Sequence, residues 1–138
     1  MIKSELIALE ILRNLEGFSS AEKIGYLHNF DRPWPDFVAY KDNVRFVVEA
    51  KTWNGTYYKI SAMHQGAVGL DFLIVINLRD RVYSLVPITA KHTDKHGRVA
   101  VKPFKLKNWK PIPNQLVDSI ECLSAAGRYL YDTPLCLF

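Results

Sequence analysis

The sequence predicts an α/β or α+β fold on a mixed central sheet flanked by helices, and three observations lead there. An amphipathic N-terminal stretch is followed by five short strand-like runs. One run, Phe72 to Ile76, is apolar throughout, as a strand covered on both faces requires. Helical patterning interrupts the strands and returns near the C-terminus, so helices and strands share one layer system. The 138 residues are 49% apolar and 23% charged, enough for one core and too apolar for disorder. One domain, 1–138, is expected, with a core over about 4–86 and an extension over about 87–138.

The first helix is capped by Ser4, repeats Ile7, Ile11 and Leu15 at fourfold spacing, and stops at Gly17. A strand is expected over Lys23 to Phe30, followed by the stiff loop Asp31-Arg32-Pro33-Trp34-Pro35. The runs Asp36 to Lys41 and Val44 to Trp53 flank Asp42-Asn43, a hairpin signal. Ser61 can cap a short helix reaching Leu70, although Gly66 and Gly69 make it intrinsically poor. Phe72 to Ile76 and Arg81 to Val86 read as neighbouring strands. A last helix starts near Asn114, with Leu116, Ile120 and Leu123 inward and Cys122 expected in the core.

The net charge of +4 is not evenly spread. Residues 87–112 carry Lys91, Lys95, Arg98, Lys102, Lys105, Lys107 and Lys110 against Asp94 alone, a local +6 that leaves −2 elsewhere. Such a segment suits a polyanion, and a solvated basic loop has the same composition. No apolar run is long enough for a bilayer, and Lys3 and Glu5 do not begin a signal peptide. Cys122 and Cys136 form no CxxC pair, so a cytoplasmic chain with free thiols is expected. No P-loop, dinucleotide fingerprint or GxSxG elbow is present, and no nucleotide cofactor is expected. His92 and His96 stand four apart, but their setting reads as a polar turn rather than a zinc-binding helix.

The hairpin register fixes a candidate site. With a two-residue Asp42-Asn43 loop, paired positions sum to 85, so Phe37 faces Val48 and Ala39 faces Phe46. On the other surface Asp36 falls opposite Glu49, and Lys51 shares the face of Glu49 by alternation. Opposed carboxylates with Cβ atoms about 5 Å apart repel each other. A divalent cation offsets that repulsion, and the Ala50 carbonyl offers a further oxygen. Lys51 can then orient or deprotonate a water, or balance transition-state charge. Two surface acids and a lysine at a strand end would be the plainer reading, and the opposed pair beside the lysine weighs against it.

Pro35-Asp36, twelve intervening residues, then Glu49-Ala50-Lys51 after the apolar Phe46-Val47-Val48 resembles the PD-(D/E)xK nuclease signature. The restriction-endonuclease-like αβββαβ order over about 4–86 strengthens that resemblance. Within the superfamily the chain looks most like Holliday junction resolvases of the archaeal type. The resemblance implies a metal-associated carboxylate on the first helix, for which Glu5, twelve residues before Gly17-Phe18, is the counterpart. Helix geometry agrees, since Glu5 shares its face with Ile2, Ala8, Leu9 and Leu12, whereas Glu10 neighbours Arg13 and Asn14 and reads as solvated. It also implies a Gln on the following helix, matched by Gln65, which can hydrogen-bond a water or a phosphate. Lys59 and Ser61, entering that helix, are candidate phosphate contacts.

Other DNA contacts follow from residue type. Trp34, beside Arg32, can stack on a base or pack on the sheet edge. Lys102, Lys105, Lys107 and Lys110 interleave with Phe104 and Trp109, a pattern for salt-sensitive backbone binding or for a lysine-guarded strand edge. The expected protein is a Mg²⁺-dependent endodeoxyribonuclease, with Mn²⁺ able to substitute, acting in DNA recombination as a homodimeric junction resolvase. A nicking or restriction-like duplex nuclease, and a non-catalytic nucleic-acid-binding module, are the competing expectations.

Overall fold

The computed structural model describes residues 3–23, 37–56, 60–65, 69–95 and 98–125, the side chains of 60–65 and 123–125 excepted. Helix α1 spans Lys3–Asn14, and strands β1 (Ser20–Lys23), β2 (Phe37–Lys41) and β3 (Val44–Thr52) follow. Then come β4 (Ile60–Gln65), β5 (Phe72–Asn77), β6 (Val82–Pro87), β7 (Arg98–Val101), β8 (Lys110–Pro111) and helix α2 (Asn114–Ala125). Six strands form the central sheet in the order β1-β2-β3-β5-β6-β8, while β4 and β7 form a second sheet of two. The β3–β5 pair is parallel and the other pairs are antiparallel, so the central sheet is mixed. This is the α+β architecture the sequence predicts.

The two sheet faces are covered differently. Phe37, Ala39, Val48, Ile74, Ile76 and Tyr83 face α1 and α2. Leu6, Ile7, Leu9, Ile11 and Leu12 of α1 are buried there, and each is worth about 1.5–3 kcal/mol of transfer free energy. From α2, Leu116, Val117 and Ile120 complete that layer, and Lys3 pairs with Glu121 across the two helices. The opposite face presents Leu73, Val75 and Val86, which pack with Val99 and Val101 of β7 and with Trp53, Leu106 and Trp109. The described part of the C-terminal extension is thus divided between the two faces.

Five local expectations are corrected. Helix α1 already includes Lys3, with Ser4 buried inside its first turn rather than capping it. Strand β1 begins at Ser20, ahead of the expected start at Lys23, and pairs with Phe37–Tyr40; the expected residues 24–30 lie outside the described residues. The segment expected as a helix from Ser61 is β4, paired with β7 through Ile60↔Val101, Ser61↔Ala100 and Ala62↔Val99. Its two glycines weaken a helix, and the β-branched residues of β7 offer ladder hydrogen bonds instead. Glu10 is buried rather than solvated: Asn14 Nδ2 donates to its Oε2 at 2.8 Å and Arg13 Nη1 to its Oε1 at 3.4 Å, and that guanidinium is tied in turn to Ala21 O of β1. Cys122 is exposed, on the opposite side of α2 from Leu116 and Ile120.

The stop at Gly17 holds, with φ +75, a conformation that favours glycine. The polar turn around His92 is a 3₁₀ turn over Ala90–His92, in which Thr89 N–H donates to His92 Nδ1 at 3.0 Å. Burial and the neighbouring Lys91 both lower the His92 pKa. Among the described residues, no helix is long and apolar enough to cross a membrane.

Candidate active site

Asp42 and Asn43 both adopt positive φ, 52° and 64°, the backbone of a two-residue hairpin turn whose twist matches its strands. The resulting ladder is the expected one: Phe37↔Val48, Val38↔Val47, Ala39↔Phe46, Tyr40↔Arg45 and Lys41↔Val44. It is described down to Phe37↔Val48; Asp36, the next residue, lies outside the described residues. On the far side of β3 the parallel ladder runs Val48↔Phe72, Glu49↔Leu73, Ala50↔Ile74 and Lys51↔Val75.

Alternation along β3 decides which groups meet. Val48 belongs to the helix-side core, so Glu49 and Lys51 point to the opposite face, in line with Leu73 and Val75. Glu49 is 3% exposed and Lys51 is half-buried. A buried carboxylate needs compensating charge, and an ammonium two residues along the same face is one source. The backbone also has a direction here. Val47 N–H donates to Asp71 Oδ2 at 2.7 Å and Trp53 N–H to Ile76 O at 2.9 Å, both on the β5 side. Even-numbered residues of β3, Ala50 included, therefore turn their carbonyls toward the β2 side. A buried carboxylate and backbone oxygens are hard donors, a set that fits Mg²⁺ rather than a soft metal. Among the described residues no three His, Cys, Asp or Glu side chains cluster to hold an ion.

Glu5 sits on the helix side. Its Oε2 accepts from Lys23 Nζ at 3.0 Å, and that ammonium lies 5.6 Å from the centroid of the Phe37 ring. Phe37 pairs with Val48, so Glu5 lies near the same sheet end as Glu49 but on the other face. Gln65 and Ser61 fall on β4 rather than on a helix, with Gln65 at the register of Arg98. That removes the helix N-terminus from which Ser61 was expected to hold a phosphate, and the side chains of both lie outside the described residues. Arg32, Trp34 and Lys59 lie outside them as well.

The basic segment folds onto the Glu49/Lys51 face. Trp53, next on that face after Lys51, stacks on Trp109 with ring centroids 5.5 Å apart and meets Phe104 edge-on at 5.0 Å. Lys102, Lys105 and Lys107 are exposed around this cluster. Lys110 is not with them: it pairs with Tyr83 in the ladder, and its Nζ reaches Glu16 at 3.1 and 3.2 Å on the helix side. Trp53 is the member sequence reading overlooked, although the same alternation that aligns Glu49 with Lys51 reaches it. At the ends of β3 and β5, the Arg79 guanidinium lies against Gly55, where φ is +93 and a Cβ would collide with it.

Fold and site together define an α+β protein with a buried glutamate and a half-buried lysine on the sheet face that the basic aromatic segment packs against. No family model matches the chain, and no curated protein matches it. Among solved structures, the bacterial homing endonuclease I-Ssp6803I aligns over 90% of this chain and 95% of that chain, at 13% identity and a TM-score of 0.44. The functional reading rests on the site itself.

Proposed function

We propose that this protein is a Mg²⁺-dependent DNA endonuclease, acting as a homodimer on branched DNA. The observation that carries the reading is the alternation along β3, which turns buried Glu49 and half-buried Lys51 to one sheet face, in line with Leu73 and Val75. Asp36, Glu49 and the Ala50 carbonyl would hold the ion, which supplies Lewis-acid charge to the phosphate when bound. Lys51 orients the attacking water and balances charge on the phosphorane-like transition state. The water oxygen forms a bond to phosphorus as the P–O3′ bond breaks. The attacking water gives up one proton to solvent and the departing O3′ takes one from solvent, leaving a 5′-phosphate and a 3′-hydroxyl. Glu5 assists through its charge at the same sheet end, and Gln65 hydrogen-bonds the water or a phosphate oxygen. Lys102, Lys105 and Lys107 hold the DNA backbone nearby, which supports binding with little base preference.

The test is cleavage of a labelled four-way junction and a matched duplex, in Mg²⁺, Mn²⁺ or EDTA. Metal-dependent cutting of the junction is expected, abolished in Asp36→Asn and Glu49→Gln while binding persists. Lys51→Ala should slow cutting by about 10²-fold or more. Binding without cleavage in either metal would refute the nuclease reading. Equal rates on duplex and junction would keep the nuclease and remove the branched-DNA preference.

A further inference from the structure

We infer that the cavity where β8 parts from β6 takes one unpaired nucleotide of the DNA, its base held by the Leu85 backbone, so that the nuclease proposed above, on which this rests, acts beside an extrahelical base. The cavity measures about 430 Å³ and is lined by Glu16, Leu85, Lys107, Asn108, Trp109 and Lys110. Strand direction explains how it arises. Ile88 N–H donates to Asp71 O at 2.9 Å, next to β5, so even-numbered residues of β6 turn their backbone N–H and C=O toward β5. Ile112 N–H donates to Arg81 O at 2.8 Å, so odd-numbered ones turn theirs toward β8. The β6–β8 ladder pairs only Val82↔Pro111 and Tyr83↔Lys110. Carried on by two residues, it would set Asn108 against Leu85, but the two stand on the walls of the cavity instead. The Leu85 N–H and C=O, a donor beside an acceptor, are thus directed at the cavity with no strand partner among the described residues.

That backbone pair and the charge around it select the occupant. A nucleobase carries donors and acceptors side by side on its pairing edge, and a duplex occupies that edge, so only an unpaired base offers it. The volume is at the small end of ligand pockets, which suits one nucleotide rather than a longer segment. Trp109 supplies an aromatic wall, and exposed Lys107 can meet a phosphate. Glu16 does not oppose this, since Lys110 Nζ donates to both of its carboxylate oxygens, at 3.1 and 3.2 Å. An extended peptide also offers a donor and an acceptor, but its backbone carries no charge to match Lys107. The register sets the cavity level with the proposed centre. Ala50 pairs with Ile74 and Ile74 with Leu85, so Leu85 lies two strands from Ala50, about 10 Å across the sheet. A DNA strand covers that distance in about three nucleotides.

Binding measured in EDTA separates this inference from the nuclease reading, because no cleavage is read. Fluorescence anisotropy would follow a labelled duplex with one bulged nucleotide and the matched duplex at one ionic strength. Wild-type protein should prefer the bulged duplex by about tenfold. Leu85→Pro removes the edge N–H without touching a β5 ladder bond and should abolish that preference. Leu85→Ala loses the side chain but keeps the N–H, and should retain it. The wild type gives a second readout that needs no substitution. In isotope-labelled protein the Leu85 amide resonance should move on titration with the bulged duplex and stay in place with the matched one. Equal affinity for the two duplexes, or a Leu85 amide that does not move, would overturn the pocket. A Leu85 shift caused by a short valine-rich peptide and not by bulged DNA would also overturn it, in favour of strand addition. Bulge preference in a protein that never cuts DNA in Mg²⁺ would keep the pocket and discard the nuclease.

Discussion

Trp53 and Trp109 stack at 5.5 Å, and that contact joins the strand bearing Glu49 and Lys51 to the most basic part of the chain. The excess positive charge is thereby tied to the strand that bears Glu49 by apolar packing. Charge attraction alone would be screened within about 10 Å at 0.1 M salt. A half-buried indole stack does not depend on charge and is not screened. The lysines keep their position when salt weakens every ion pair on the surface.

Trp109→Ala should therefore act on two properties at once. Losing a half-buried indole and its stack should cost about 2 kcal/mol of stability, read as a shift in the urea midpoint. Affinity for DNA should fall together with stability, since Lys105 and Lys107 lose their anchor. Phe104→Ala should cost less than Trp109→Ala, about 1 kcal/mol, because the ring is 58% exposed and loses an edge-on contact with Trp53.

Magnesium binding can be tested without DNA. An ion that binds only the folded state stabilises it by about 1.4 kcal/mol at ten times its dissociation constant. The wild-type Tm should rise by a few degrees in millimolar Mg²⁺. That rise should vanish in Asp36→Asn and Glu49→Gln and persist in Glu10→Gln. A metal-induced shift of equal size in all of these would place the ion elsewhere.

The legible parts of the fold are those set by neighbours in sequence. Strands β2 and β3, their register and the Asp42-Asn43 turn follow from alternation and one dipeptide, and β5 and β6 from apolar runs closed by a tight turn. Strand β4 was not legible because its partner, Arg98–Val101, comes after β5 and β6 in the chain. Local patterning there resembles a capped helix, and only the distant ladder decides otherwise. Glu10 was misjudged for a related reason. A single helix viewed alone has one solvent face, but Arg13 beside Glu10 is held by Ala21 O of β1, a partner from outside the helix.

Glu10 offers a direct check on that burial. Its carboxylate accepts from Asn14 Nδ2 at 2.8 Å and from Arg13 Nη1 at 3.4 Å, while Arg13 also donates to Ala21 O of β1 at 2.9 Å. Removing the carboxylate leaves a buried guanidinium with one partner fewer. Glu10→Ala should destabilise by about 3 kcal/mol, measured by chemical denaturation. Specific cleavage activity of the folded fraction should be unchanged, because Glu10 lies on the helix side of the sheet.

Tyr83 gives the fold a predictable response to alkali. Burial raises its pKa first, and the charge and hydrogen bond of Glu16 raise it further, well above the ordinary tyrosine value. The sign follows from linkage. Below pH about 10 the phenol is protonated in both folded and unfolded chains and contributes no pH dependence. Above it the unfolded chain ionises while the folded one resists, so stability falls as pH rises. Wild-type protein should lose stability between about pH 10 and 11.5 more steeply than Tyr83→Phe, followed by urea denaturation at each pH. Lys110 holds Glu16 from the solvent side, so Lys110→Met serves as the control for the part of the effect that passes through Glu16. Parallel slopes for wild type and Tyr83→Phe would show that the phenol does not stay protonated in the folded protein.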